Sequence, residues 1–171
     1  VASTAWLGHG PDTVLRHLNE TLIRRDVETF LTLAYGTLST TPTGVDLEVS
    51  IGGHPLPILR WADGTITTIG QAGTLLGVFD DLKVETTAVS LHPGDVVVFY
   101  TDGVTDVAPP SNLDTEQLEG IIGRAVDGAQ TSEAIASAIT DSLSKILSFE
   151  QRNDDIALLV IKVGEPGTST E

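Results

Sequence analysis

Val96-Val97-Val98-Phe99-Tyr100-Thr101-Asp102-Gly103-Val104-Thr105-Asp106 is the stretch on which the reading of this chain turns. Its run of β-branched and aromatic residues predicts a buried strand. The strand ends abruptly in an Asp-Gly turn. Asp102 is thereby carried to the rim of a sheet, with a glycine behind it that lets backbone or ligand come close. A second carboxylate pair, Asp154-Asp155, opens another apolar strand, Ile156 to Val163. Two strands that present aspartates at their ends can form one oxygen-rich pocket, which suits hard divalent cations.

Around these two segments the chain is predicted to be α+β. Val14, Leu15, Leu18, Leu22 and Ile23 recur at helical spacing behind Pro11, which predicts an amphipathic helix over residues 11–25. Phe30 to Leu38 reads as a strand. Val45, Leu47, Val49 and Ile51 alternate with Asp46, Glu48 and Ser50 as a second strand, joined to the first by a turn at Thr40 to Gly44. Ile58 to Trp61 and Thr65 to Ile69 flank Ala62-Asp63-Gly64 as a hairpin. Gly70 to Asp81 reads as a loop and Val84 to Leu91 as a strand. Two helices follow, over 115–127 and from Thr131 or Ser132 to about Phe149, with Val107 to Asp114 irregular before them. Val1 to Leu7 reads as the tail of a helix and residues 164–171 as a frayed polar tail. Antiparallel strands, then two helices, then one returning strand describe helices packed on antiparallel sheets.

Composition narrows the function. The chain has 171 residues, enough for one domain with a core, and 40% of them are hydrophobic. Its 24 acidic and 9 basic residues give a formal net charge of −15. That field repels nucleic-acid phosphates and anionic membranes and favours cations and basic surfaces. Without a cysteine, thiolate metal sites, cysteine nucleophiles and disulfides are excluded. No apolar run approaches the roughly 20 residues that span a bilayer, and nothing reads as a signal peptide. The expected location is the cytoplasm.

Five blocks, in order, resemble a known family. They are Val14 to Leu22; Gly53-His54-Pro55-Leu56-Pro57; Leu75-Leu76-Gly77-Val78; Leu91 to Asp95 leading into Phe99 to Asp106; and Asn153-Asp154-Asp155-Ile156-Ala157-Leu158-Leu159-Val160. Together they resemble the SpoIIE/RsbU branch of the metal-dependent, type 2C serine/threonine phosphatases over residues 11–163. The resemblance implies a sandwich of two antiparallel β-sheets flanked by α-helices, with two Mn²⁺ or Mg²⁺ ions at one edge. It implies hydrolysis of phosphoserine or phosphothreonine by a metal-activated water, with no side-chain nucleophile. The implied partner is a phosphorylated protein, often an anti-sigma factor antagonist in a bacterial stress or sporulation cascade. Asp102 and Asp154 match the family's metal-ligand aspartates. Asp155 and Gly103 stand beside them, and Asp106 occupies a position where many relatives carry glutamate. His54 is a substrate-proximal candidate that could polarise a phosphate or simply order its loop.

One motif of the family does not match. Relatives carry an earlier Asp-x-x-Gly whose aspartate bridges the two metals, whereas Gly8-His9-Gly10 is preceded by Ala5 at the matching position. Asp63-Gly64 reads as a hairpin turn and Asp127-Gly128 as a helix end, so neither supplies it. The expectation is a partial domain over 1–163, missing its first strands, with the bridging aspartate upstream of Val1 and little activity of its own. The competing expectation is a non-catalytic pseudophosphatase, an interaction module in the same kind of pathway. The substrate's identity, upstream sensor domains and a dimeric state are left open by the sequence.

Overall fold

The computed structural model describes residues 8–25, 29–105, 113–146 and 154–165. The expected elements at Val1 to Leu7, at 106–112 and at 147–153 lie outside them. The chain divides into two compact units, Val1–Leu56 with Ile69–Leu91, and Pro57–Thr68 with His92–Glu171. The expected α+β class holds, with one antiparallel sheet in each unit.

In the first unit, helix α1 (Pro11–Arg24) starts on a proline and carries Asp12 in its first turn and Arg24 in its last, both favourable to the helix dipole. Its apolar stripe buries Leu15 against Leu76, Leu82 and Val84, with Leu18 and Leu22 packed at the margin. The sheet runs β1 (Leu33–Thr41), β2 (Gly44–Gly52), β5 (Thr86–Leu91), all antiparallel. On β2 the predicted alternation is visible as far as Val49, with Leu47 and Val49 buried and Asp46 and Glu48 exposed; Ser50, expected on the wet face, is buried, its hydroxyl 3.0 Å from that of Thr86. The long loop before β5 is held to α1 by side chains. Buried Asn19 donates to the Phe79 carbonyl at 2.9 Å and accepts from the Gly77 amide at 2.7 Å. The Arg16 guanidinium donates to the Leu82 and Val84 carbonyls at 2.7 and 2.8 Å. These bonds satisfy backbone groups that have no ladder partner.

β1 differs from the sequence expectation. It begins at Leu33 rather than Phe30 and continues to Thr41, so the hairpin closes on Thr41 and Gly44. Leu31 instead exchanges two backbone bonds of 3.0 Å with Leu76, a separate bridge that draws the apolar Phe30-Leu31 pair away from β2.

In the second unit the sheet order is β4 (Ile66–Thr68), β3 (Ile58–Arg60), β6 (Val96–Tyr100), β7 (Leu158–Lys162). The β3–β4 turn is the expected Asp-Gly hairpin. Gly64 takes a φ of +96°, and the Asp63 carboxylate accepts from the Thr65 amide at 2.8 Å, which lowers its pKa below the usual value. Helices α2 (Thr115–Gly128) and α3 (Ser132–Ile146) pack on this sheet. Val96, Val98 and Tyr100 of β6 meet Leu118, Ile122, Ile135, Ile139 and Leu143 in one core. Val97, on the other face of β6, is equally buried, as an unbroken apolar run requires. α2 starts with a capping box that the sequence reading left inside an irregular segment. Asp114 accepts from the Gln117 amide at 2.8 Å, and the Gln117 side chain accepts from the Asp114 amide at 3.1 Å. Thr131 caps α3 through the Ala134 amide, as expected. β7 is shorter than the predicted Ile156–Val163 run, because the backbone ahead of Leu158 is engaged by a side chain.

Asp95 is 3% exposed, and its carboxylate joins two turns of the second unit. It accepts from the Ala62 and His92 amides, both at 2.7 Å. Asp95→Ala leaves two N–H groups without that acceptor, at about 1–3 kcal/mol for each donor. Urea denaturation is expected to show a loss of that order; wild-type stability would refute it.

The Tyr100 phenol has its pKa raised above 10.0, first by burial and second by the Glu119 carboxylate. The folded protein then retains a proton that the unfolded chain releases. Its stability is expected to hold up to about pH 10 and to fall as pH rises further through the raised pKa. Thermal melts of the wild type and of Tyr100→Phe across that range check this, and an equally steep alkaline decline in the variant would exclude Tyr100 as the cause.

Candidate metal centre

The β6–β7 ladder ends with Tyr100 opposite Leu158. Beyond it the two chains stay together, because Thr101 donates its amide to the Ala157 carbonyl at 3.1 Å. The β6 side then turns through a single 3₁₀ turn, Asp102–Val104, whose first residue is exposed Asp102. On the other side, exposed Asp154 accepts from the Asp155 amide at 2.8 Å through its own side chain. The Asp-Gly turn expected after β6 is thus a 3₁₀ turn.

Two contacts bring the acidic segments side by side. The Thr101 hydroxyl donates to the Asp155 carbonyl at 3.0 Å and accepts from the Ala157 amide at 2.9 Å. Gly103 is buried so closely against the opposite backbone that a Cβ there would stand 2.4 Å from the Asp155 carbonyl oxygen and 3.1 Å from that of Asp154. Glycine is required at this position for close approach. Asp102 and Asp154, far apart in sequence, therefore lie on adjoining segments at one end of one sheet.

The other expected site residues stand differently. Asp155 belongs to the junction through its backbone, and its side chain is exposed. Asp106 lies outside the described residues. His54 is half-buried in the first unit, with its Nδ1 3.3 Å from the Thr32 hydroxyl. Arg60 directs its guanidinium to the Asp127 carboxylate and the Trp61 carbonyl. Thr101 is the residue that sequence reasoning missed, although it lies inside the quoted motif. The available signal was a hydroxyl directly before Asp-Gly, set opposite a small residue.

Among the described residues, no three His, Asp or Glu side chains converge as a ready-made metal cage. The two carboxylates expected as ligands, Asp102 and Asp154, are both exposed. That set fits a partly hydrated Mg²⁺-type ion, which keeps several waters and is commonly held by one or two carboxylates. It is not a cage for a dehydrated ion.

A family model described as Stage II sporulation protein E (SpoIIE) matches residues 1–164. The chain belongs to the SpoIIE family. Among SpoIIE relatives, the phosphoserine phosphatase RsbU of Bacillus subtilis (strain 168) is 26% identical over 157 residues, covering 91% of this chain and 46% of RsbU. The chain thus spans about half the length of that relative. Two solved structures show the same fold. The RsbU and RsbW domains of Rv1364c from Mycobacterium tuberculosis align with a TM-score of 0.64 and 23% identity, over 85% of this chain and 40% of that one. RsbX in complex with magnesium aligns with a TM-score of 0.65 and 13% identity, over 94% of this chain and 68% of RsbX. The expected SpoIIE/RsbU-like type 2C phosphatase fold is therefore the fold of this chain.

Gly103→Ala is expected to force the Asp102 turn and the Asp154-Asp155 backbone apart. Overpacking of this kind costs about 1–3 kcal/mol. Chemical denaturation and the amide resonances of Asp155 to Ala157 report it. A variant with unchanged stability and unchanged resonances would show that the approach is looser than the structure has it.

Proposed function

We propose that this chain is the C-terminal two-thirds of a metal-dependent phosphoserine/phosphothreonine protein phosphatase domain. Its substrate would be an anti-sigma factor antagonist in bacterial sigma-factor regulation. The observation that carries the reading is the junction of the Asp102 and Asp154 segments, in a chain of the SpoIIE family. RsbU is named a phosphoserine phosphatase, and RsbX was solved with magnesium. The RsbU and RsbW domains joined in Rv1364c support a partner within a switching pathway.

Asp102 and Asp154 would hold Mn²⁺ or Mg²⁺, with two ions in the intact domain. Their ionised carboxylates are hard oxygen donors, and the negative field of the chain raises the local cation concentration. A bound divalent ion neutralises phosphoryl oxygens and lowers the pKa of a coordinated water towards neutrality. The protein's own part is positional. Gly103 and Thr101 fix the two acidic segments, and Asp155 contributes a backbone anchor with its carboxylate adjacent. Asp106 and His54 remain candidates for the approach of substrate. Because hydrolysis uses water, no serine or histidine nucleophile is needed.

A second reading is favoured by the small donor set: a pseudophosphatase that binds a signalling partner without turnover. Phosphate release separates the two. A longer form of the protein carrying an upstream Asp-x-x-Gly aspartate is expected to release phosphate from a phosphoserine-containing antagonist protein only with Mn²⁺ or Mg²⁺. Asp102→Asn or Asp154→Asn is expected to lower the rate by more than the ~10–100-fold typical of outer partners of a metal site. The 171-residue chain alone is expected to turn over little. Partner binding without any phosphate release by the longer form would establish the second reading, and wild-type rates in Asp102→Asn would overturn the first.

A further inference from the structure

Thr101 and Ala157 face one another one step beyond the last ladder pair, Tyr100 and Leu158. In an unbroken antiparallel ladder, two residues in that position exchange both N–H···O bonds. Here only one of the two is made. The Thr101 amide donates to the Ala157 carbonyl, but the Ala157 amide is taken at 2.9 Å by the Thr101 hydroxyl. The Thr101 carbonyl is thereby released from the ladder and accepts instead from the Val104 amide at 3.0 Å, which closes the turn that carries Asp102. The hydroxyl proton is spent on the Asp155 carbonyl at 3.0 Å. One side chain thus substitutes for its own backbone acceptor, starts the Asp102 turn and pins the Asp154-Asp155 backbone.

We propose that Thr101 is the positioning residue of the acidic site, its hydroxyl setting the Asp102 and Asp154 segments in the register that lets both carboxylates serve one divalent cation. This rests on the proposed metal-binding reading and adds to it the group that assembles the donors. Thr101 need not touch the ion. A residue with the same branched shape and no hydroxyl leaves the Ala157 amide to reclaim the Thr101 carbonyl. The ladder then gains a step and the Asp102 turn loses its closing bond. Serine retains both hydroxyl bonds.

The test compares wild type, Thr101→Val and Thr101→Ser in the full chain, using Mn²⁺ alone as probe. Free Mn²⁺ is measured by electron paramagnetic resonance, and exchange of the Ala157 amide is followed by nuclear magnetic resonance without metal. Thr101→Val is expected to weaken Mn²⁺ binding by about tenfold or more, the range seen when an outer partner of a metal site is lost. Its Ala157 amide is expected to shift, while Thr101→Ser keeps both near wild type. Should Thr101→Val fail to fold, judged by circular dichroism, the smaller Thr101→Ala takes its place. Wild-type Mn²⁺ affinity in the folded hydroxyl-free variant overturns the inference alone, as does failure of serine to rescue. If the wild type itself binds no Mn²⁺, the metal-binding reading falls and the inference falls with it.

Discussion

The pairing of β6 with β7 is the constraint on which the rest depends. It joins residues about a third of the chain apart, and its register decides which residues meet at its end. A slip of one position would turn Val98 and Tyr100 out of the helical core and place Val97 and Phe99 there instead. The buried Val96, Val98, Tyr100 face and its packing against α2 and α3 therefore fix the register. Once the core has fixed it, Thr101 must face Ala157, and the acidic residues beyond must arrive together. The site is a consequence of the core's side-chain alternation.

The way the ladder stops matters as much as its register. A strand that continued would spread its side chains to alternate faces and carry Asp102 onward along the sheet. The 3₁₀ turn keeps Asp102 at the rim, and the absence of a Cβ at Gly103 lets the Asp155 carbonyl come close. A hydroxyl and a glycine thus govern how the Asp102 and Asp154 segments are set against one another.

Legibility in the sequence followed the length scale of each interaction. β6 was readable because five consecutive apolar residues admit little else, and α1 because its apolar residues recur at helical spacing. The β3–β4 hairpin was readable because Asp-Gly between alternating residues specifies its own turn. The start of β1 was not, since Phe30-Leu31 has the composition of a strand and its choice of Leu76 over β2 depends on a segment 45 residues away. The start of β7 was missed for a related reason. Ile156-Ala157 continues an apolar run, but the Ala157 amide is claimed by a side chain from another strand, which periodicity does not register. The two aspartates were found through their motifs. What joins them is a backbone approach that no motif spells out, and His54, named with them, belongs to the other unit.

The negative charge acquires meaning only beside this geometry. With 24 acidic residues, exposed carboxylates occur across the surface, on β2 at Asp46 and Glu48 as well as at the β6–β7 end. At about 10 Å of screening in ordinary salt, such groups act as a diffuse attraction for cations rather than as sites. Asp46 illustrates the difference, since its carboxylate accepts from the Ser90 hydroxyl at 2.7 Å on a regular sheet face. The backbone beside it is that of a regular ladder, Ser39 on one side and Ser90 on the other. Asp102 and Asp154 sit on segments whose separation is set by a buried glycine and a threonine with both of its hydroxyl bonds engaged. Pre-set backbone reduces the ordering that cation binding would otherwise require. The two acidic segments thus differ from the rest of an acidic surface in having their backbones set against one another by a close glycine approach and two hydroxyl bonds.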